Sequence, residues 1–339
     1  MNKTREKFTT NRIAFAVKEK AHAIYNRYNR LFILFLGGFF LSIIVCGSFF
    51  IQTFGEDNKL KNYTCQIPGT SIMFDMIYIP GGEFDMGSPD DEPGRNPDEG
   101  PVHRVKVSPF WIGKNEVTWN EYECYAFKLD VDPNSKKIEV VTRPSPSWEP
   151  YDHGWGRGKN PAMGISWHAA KKYCEWLSFK TGENYRLPTE AEWEFACRAG
   201  SSTMYPFGND SEKLNDYAWF NKNSDGKAKL GGLKQPNAFG LYDMLGNVLE
   251  YCLDFYDPDY YKTFKGQKVS DNPQGPEDGI DAAIRGGCWN DPPSRLRCAS
   301  RMELPFEWNE RDPQRPRSEW WLIDGQYVGF RVVRTDKNE

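Results

Sequence analysis

Histidine is scarce in this chain. Four occur in 339 residues, at 22, 103, 153 and 168, and no two stand at metal-ligand spacing. The eight cysteines, at 46, 65, 124, 174, 197, 252, 288 and 298, contain no Cys-x-x-Cys pair. A zinc centre of the usual Cys/His kind is therefore excluded. A basic surplus is missing from the body as well. Residues 1–30 hold eight Lys/Arg against Glu6 and Glu19, which leaves 35 basic against 45 acidic side chains for the rest. An acidic body excludes a nucleic-acid-binding role. No fixed-period repeat and no low-complexity tract is found, so the body reads as one domain from about residue 71 to Arg334.

What is abundant is ring and breaker. Twelve Trp, 17 Tyr and 22 Phe stand beside 30 Gly and 23 Pro. That mixture argues against a coiled coil, a plain helical bundle or a disordered chain. It suits a loop-rich fold whose irregular segments are held by aromatic packing.

One long apolar run explains the basic end. Leu31–Ile51 reads LFILFLGGFFLSIIVCGSFFI, 21 residues without a charge. As a helix rising about 1.5 Å per residue, it spans about 30 Å, one bilayer core. The basic flank places residues 1–30 in the cytoplasm and the body outside it. Residues 52–70 then read as a polar linker. Beyond the membrane, an oxidising compartment permits a disulfide.

Local signals place several elements. Ile72–Ile79, Val102–Val107, Ala282–Arg285 and Tyr327–Val333 read as strands. Between the first two lies MGSPDDEPGRNPDEGP, whose Pro, Gly and acidic residues read as a solvated loop that could hold a cation. Thr118–Glu121 and Thr189–Glu192 are capping boxes, in which a hydroxyl and a carboxylate satisfy free N–H groups at a helix start. Ser166 caps a further helix that Gly182 stops. Glu190, Glu192 and Glu194 read as helix-start charges favoured by the dipole. Arg285 and Arg331 read as buried scaffold arginines.

These segments also carry a resemblance. IPGGEFDMGS (79–88), PVHRVKVSPFWIGKNEVTWNEY (101–122), NPAMGISWHAAKKYCEWLS (160–178), YRLPTEAEWEFACRAG (185–200), PNAFGLYDMLGNVLEY (236–251), AIRGGCW (283–289), RLRCASR (295–301) and VGFRVV (328–333) follow one another in this order. Together they resemble the formylglycine-generating enzyme (sulfatase-modifying factor) family over about 260 residues. The resemblance implies a loop-rich α+β single domain related to C-type lectins.

It also implies site residues. Active relatives bind Cu(I) through two cysteines between the RGG and RCAAR motifs and oxidise a substrate cysteine to formylglycine. Soft thiolates suit Cu(I). Here Trp289–Leu296 contains no cysteine, so Cu(I) is not expected. Cys288 stands where the family has serine, beside the expected groove. It is a candidate functional thiol or a small side chain packed under the loop. By the resemblance, Cys197 and Cys298 pair as a disulfide. Cys174 loses its family partner to Val332 and is expected as a buried thiol. Asp243, Gly246, Val248 and Glu250 match a family calcium site, an oxygen cage suited to Ca²⁺.

The reading is therefore a membrane-anchored, extracytoplasmic, non-oxidase binding or accessory module. Its groove, lined by Trp289, Asn290, Trp320 and Trp321, would take a peptide or another extracytoplasmic protein. A formylglycine-generating oxidoreductase and a surface adhesion module are the alternatives.

Overall fold

Two capped helices set the frame. In the computed structural model, α1 (Trp119–Ala126) opens on Thr118, whose hydroxyl accepts from Glu121 N while the Glu121 carboxylate accepts from Thr118 N. The box at Thr189 opens α3 (Glu190–Arg198) in the same way. Between them, α2 (Trp167–Thr181) is capped by the Ser166 hydroxyl and stopped by Gly182 in the left-handed conformation, φ 73°. All three starts lie where their cap chemistry predicts. The fourth helix, α4 (Leu214–Tyr217), is a single turn. The structure describes residues 61–132, 141–144, 152–309, 323 and 325–336. The expected anchor Leu31–Ile51 and its basic flank lie outside them. Among the described residues no helix is long and apolar enough to cross a membrane.

Among the described residues, twelve strands make three small sheets. They are β1 (Tyr63–Gln66), β2 (Met73–Ile79), β3 (Gly82–Met86), β4 (His103–Val107), β5 (Phe110–Gly113), β6 (Asn184–Arg186), β7 (Leu249–Phe255), β8 (Ser270–Asp271), β9 (Ala282–Arg285), β10 (Arg301–Glu303), β11 (Val328–Gly329) and β12 (Val333–Thr335). The orders are β1-β2-β5-β12-β6, β10-β9-β7-β11 and β3-β4-β8. The polar stretch read as linker thus supplies β1, an edge strand paired to β2 from Tyr63↔Met76 to Gln66↔Met73.

The late strand expected over Tyr327–Val333 is two strands in two sheets. Phe330, Arg331 and Val332 break the ladder and carry the chain from β11, beside β7, to β12, between β5 and β6. Val117 N and Gly113 N donate to Phe330 O and Val332 O across this crossing, at 2.8 Å each. Alternation over Tyr327–Val333 cannot show the change of sheet, because both halves are equally apolar.

Rings fill the space between α1, α2 and the crossing. Tyr122, Tyr125, Tyr173, Trp176 and Phe330 touch in sequence, with centroids 5.3–6.3 Å apart. Edge and tilted contacts of this kind add about 0.5–1.5 kcal/mol each to the burial itself. The aromatic composition is thereby spent on joining helices to loops.

Charge is the second framework. The three glutamates of α3 are not surface charges; all are buried, and each holds an arginine. Glu190 takes Arg301 at 2.8 Å, Glu192 takes Arg186 at 2.6 Å, and Glu194 takes Arg198 at 2.8 Å together with Arg285. The acidic segment between β3 and β4 behaves alike. Glu92 and Glu99 close on the buried Arg297, at 2.8 and 2.6 Å, so the cation held there is a guanidinium. The loop is therefore tied to the body rather than solvated. Arg285 and Arg331 are fully buried, as the scaffold reading predicts.

Candidate functional site

A cleft of about 680 Å³ opens beside the turn that follows β9. Its walls come from that turn (Cys288, Asn290, Asp291), from the end of β10 and the segment after it, and from Tyr327 ahead of β11. Gly286 and Gly287, both with positive φ, let the chain leave β9 sharply. A Cβ on Gly287 would meet Leu296 Cδ1 at 2.9 Å. The sequence placed a groove here, and Asn290 and Cys288 line it. Trp289 does not; it is 5% exposed and stacks behind Tyr327, centroids 5.2 Å apart. Trp320 and Trp321 lie outside the described residues. Trp308, which the sequence reading did not single out, also packs against Tyr327, with centroids 5.4 Å apart. A lone Trp within the irregular MELPFEW stretch gave no periodic signal to mark it.

The cleft holds one thiol. Cys288 N donates to Asp291 Oδ2 at 2.9 Å. Burial pushes the Cys288 thiol up, and the Asp291 carboxylate adds to the rise. It is thus kept protonated, the form that is neither nucleophile nor metal ligand. The rest of Trp289–Leu296 presents amide, carboxylate, hydroxyl, guanidinium and apolar groups. These do not fit a two-thiolate Cu(I) centre.

Cys197 and Cys298 come together as the resemblance implied, but as two thiols. Their sulfurs are 3.7 Å apart, both fully buried, and unbonded. The expected disulfide is not formed in the structure. Cys174 is a buried free thiol, as expected.

The four residues matched to calcium divide into two groups. Asp243 sits at positive φ, accepts from Gly232 N through Oδ2 at 2.7 Å, and leaves Oδ1 buried without a partner. Burial pushes its carboxyl up to about 6. Gly246, φ 79°, lies so close to Trp219 that a Cβ would stand 2.3 Å from the Trp219 carbonyl oxygen. Asp243 Oδ1 is the one unengaged carboxylate oxygen among these four residues, because both oxygens of Glu250 are engaged by Arg331 and one also by Trp193 Nε1 at 2.7 Å. Val248 turns its N–H toward a third carboxylate, Glu116, at 3.4 Å. Burial drives Glu116 well above the usual carboxylate range, and Asp243 and Glu250 push it further. Glu116 escaped the sequence reading because KNEV has no ligand spacing. Among the described residues, no group of three or more His, Cys, Asp or Glu side chains is arranged to hold a metal ion.

Comparison with known proteins sets the geometry in context. The family model described as "Sulfatase-modifying factor enzyme 1-like domain" matches residues 70–336. The chain belongs to this family. The formylglycine-generating enzyme of Thermomonospora curvata is 28% identical over 270 residues, covering 67% of this chain and 87% of that protein. The serine/threonine-protein kinase pkn1 of Chlamydia pneumoniae is 35% identical over 240 residues, covering 68% of this chain and 35% of that protein. The chain therefore spans about a third of the length of that kinase. The solved structure of PvdO from Pseudomonas aeruginosa superposes with a TM-score of 0.60 and 32% identity over 80% of this chain and 99% of that one. The mixed α/β single domain with small curled sheets and few helices is thus a sulfatase-modifying-factor-like fold, as the motifs implied.

Proposed function

We propose that this member of the sulfatase-modifying factor family is a non-oxidase binding module. In this reading it is anchored by Leu31–Ile51 with its body outside the cytoplasm, and its cleft receives a peptide segment of another extracytoplasmic protein. The observation that carries the reading is the wall of the cleft. Where copper-dependent relatives need two thiolates, the segment Trp289–Leu296 has none and brings Asn290, Asp291 and Arg295 to this wall, beside the one protonated thiol of Cys288. Oxygen and amide groups are poor ligands for Cu(I). Calcium, if bound, would be held from the Asp243 and Gly246 end, where it would order the turn ahead of β7.

A rival reading is a formylglycine-generating oxidoreductase. It is favoured by the relative of that name, most of whose length this chain covers. One assay separates the two. Full-length protein in detergent is loaded with Cu(I) under O₂ and incubated with a Cys-x-Pro-x-Arg peptide, and the peptide mass is read. An unchanged mass is expected, beside a copper-dependent relative as positive control. Conversion of the thiol to an aldehyde would overturn the reading.

A further inference from the structure

We propose that the face carrying Met73, Leu230 and Leu233 rests on an anionic lipid surface, with these side chains among the headgroups and the neighbouring lysines against the phosphates. The inference rests on the anchored reading above and adds the face that the body turns to the bilayer.

Apolar side chains are the first observation. Among the described residues eight large apolar side chains stay exposed, and Met73, Leu230 and Leu233 are three of them, at 64%, 43% and 62%. Scattered singly, such residues need no explanation. These three are gathered. Met73 opens β2, and Gly231, which follows Leu230, lines the same cavity of about 490 Å³ as Met73. A Cβ on Gly231 would stand 3.4 Å from Glu116 Oε2, and one on Gly232 would stand 3.2 Å from Asn115 Oδ1. The loop is thus packed onto the body through its two glycines, with a leucine on either side of them.

Charge is the second observation. Beyond residue 30 the chain carries 35 basic against 45 acidic side chains. Residues 221–235 reverse that balance, with Lys222, Lys227, Lys229 and Lys234 against Asp225. Lys159 is exposed and lines the cavity with Met73. The carboxylates of the loop and the cavity are already taken. Asp225 is held by Lys229 at 2.7 Å, Asp75 by Lys114 at 3.3 Å, Glu116 by Asn247 at 3.1 Å and Glu121 by its cap. Among the described residues, Lys159, Lys222 and Lys227 have no ion-pair partner. Behind the loop, Lys234 Nζ lies 3.9 Å from the centroid of the Trp219 ring.

Exposed leucines, lysines and a tryptophan on one face match the chemistry of a bilayer interface. Leucine enters the acyl boundary, tryptophan sits at headgroup level, and lysine meets phosphate. Ile280 gives the contrast. It is 92% exposed, but Glu277, Asp278 and Asp281 surround it in sequence, and an anionic surface repels them.

The test uses the full-length chain in nanodiscs of phosphatidylcholine, with or without phosphatidylglycerol. The photo-crosslinking residue p-benzoylphenylalanine replaces Leu233 in one sample and Ile280 in another, and adducts are identified by mass after irradiation. With phosphatidylglycerol present, position 233 should give at least about fivefold more lipid adduct than position 280. The yield should fall without phosphatidylglycerol and as salt rises. Lys222 and Lys227 are exposed, so the double variant K222Q/K227Q should keep its fold and lower the yield at 233 at least about fivefold. Equal lipid adducts at 233 and 280 would overturn the inference and leave the anchor standing. So would a yield indifferent to phosphatidylglycerol or to the double variant. A protein adduct at 233 in place of lipid would also overturn it and assign the face to a second copy of the chain. Failure of the chain to enter the nanodiscs would overturn the anchored reading and this inference together.

Discussion

Arg331 lays its guanidinium along the carboxylate of Glu250, with Nε 2.6 Å from Oε2 and Nη2 2.5 Å from Oε1. Its remaining donors reach Gly113 O and Tyr242 O, at 2.9 and 3.0 Å. One side chain thus ties together β5, β7, the turn ahead of β7 and the chain crossing between β11 and β12. Glu250→Gln would leave a buried guanidinium without its counter-charge. Loss of one partner of a buried pair costs about 3–5 kcal/mol. Urea unfolding of the variant should show a drop of that order; a change below 1 kcal/mol, the size of an exposed pair, would show that Arg331 finds another partner.

The thiols of Cys197 and Cys298 stand close enough that oxidation needs only a small approach of two sulfurs. Their positions are 101 residues apart. A loop of about that length gains at most about 4–5 kcal/mol from cross-linking in the chain-entropy model. Protein refolded in an oxidising glutathione buffer should lose two titratable thiols, and Cys197→Ala should abolish that loss. Thermal unfolding of the oxidised form should move upward. Seven free thiols in the body after such treatment would show that the pair stays reduced.

Glu121 gives the domain a definite pH response. Burial pushes its carboxyl up to about 7, against the lowering effect of its bonds to Thr118. A carboxyl whose folded pKa is raised favours the fold in its protonated form. Its stabilising contribution is complete below the unfolded value near 4.5 and is lost as pH rises through 7. The span corresponds to roughly 3 kcal/mol as an upper figure. Glu121→Gln keeps the cap acceptor and removes the titration. The stability difference between wild type and this variant should therefore shift in favour of the variant between pH 4.5 and 7.5. A constant difference over that range would mean that Glu121 titrates normally.

Gly246→Ala should damage the turn that carries Asp243 toward β7. The position has φ 79°, and the added Cβ would overlap the Trp219 carbonyl. The φ alone costs about 1–3 kcal/mol. The midpoint of urea unfolding should fall accordingly, with a further fall from the overlap. An unchanged midpoint would show that the turn can relax around a methyl group.

Much of the scaffold was legible because its signals are local. Thr118, Ser166 and Thr189 announce helix starts by bonds made within three residues. Ala282–Arg285 is a strand at the predicted bounds. What escaped was long-range. Nothing near Glu194 in sequence says that Arg285 will meet it, 91 residues later. Nothing near Glu92 and Glu99 says that Arg297 will fill their loop. The cleft was legible through Cys288 and Asn290, which lie in a marked turn. Trp308 escaped because it reaches the cleft by the path of an irregular segment. Glu116 escaped because its environment is made by Asp243 and Glu250, more than 120 residues on.

β12 lies inside its sheet, with β5 on one side and β6 on the other. Both flanking strands are synthesised long before the residues that join them. A nascent chain that has reached only Phe330 has two strands facing an empty slot, and the Glu250 carboxylate still waiting for Arg331. Closure of the largest sheet must therefore follow translation of Val333–Thr335, and until then the exposed flanks of β5 and β6 are open to the wrong strand.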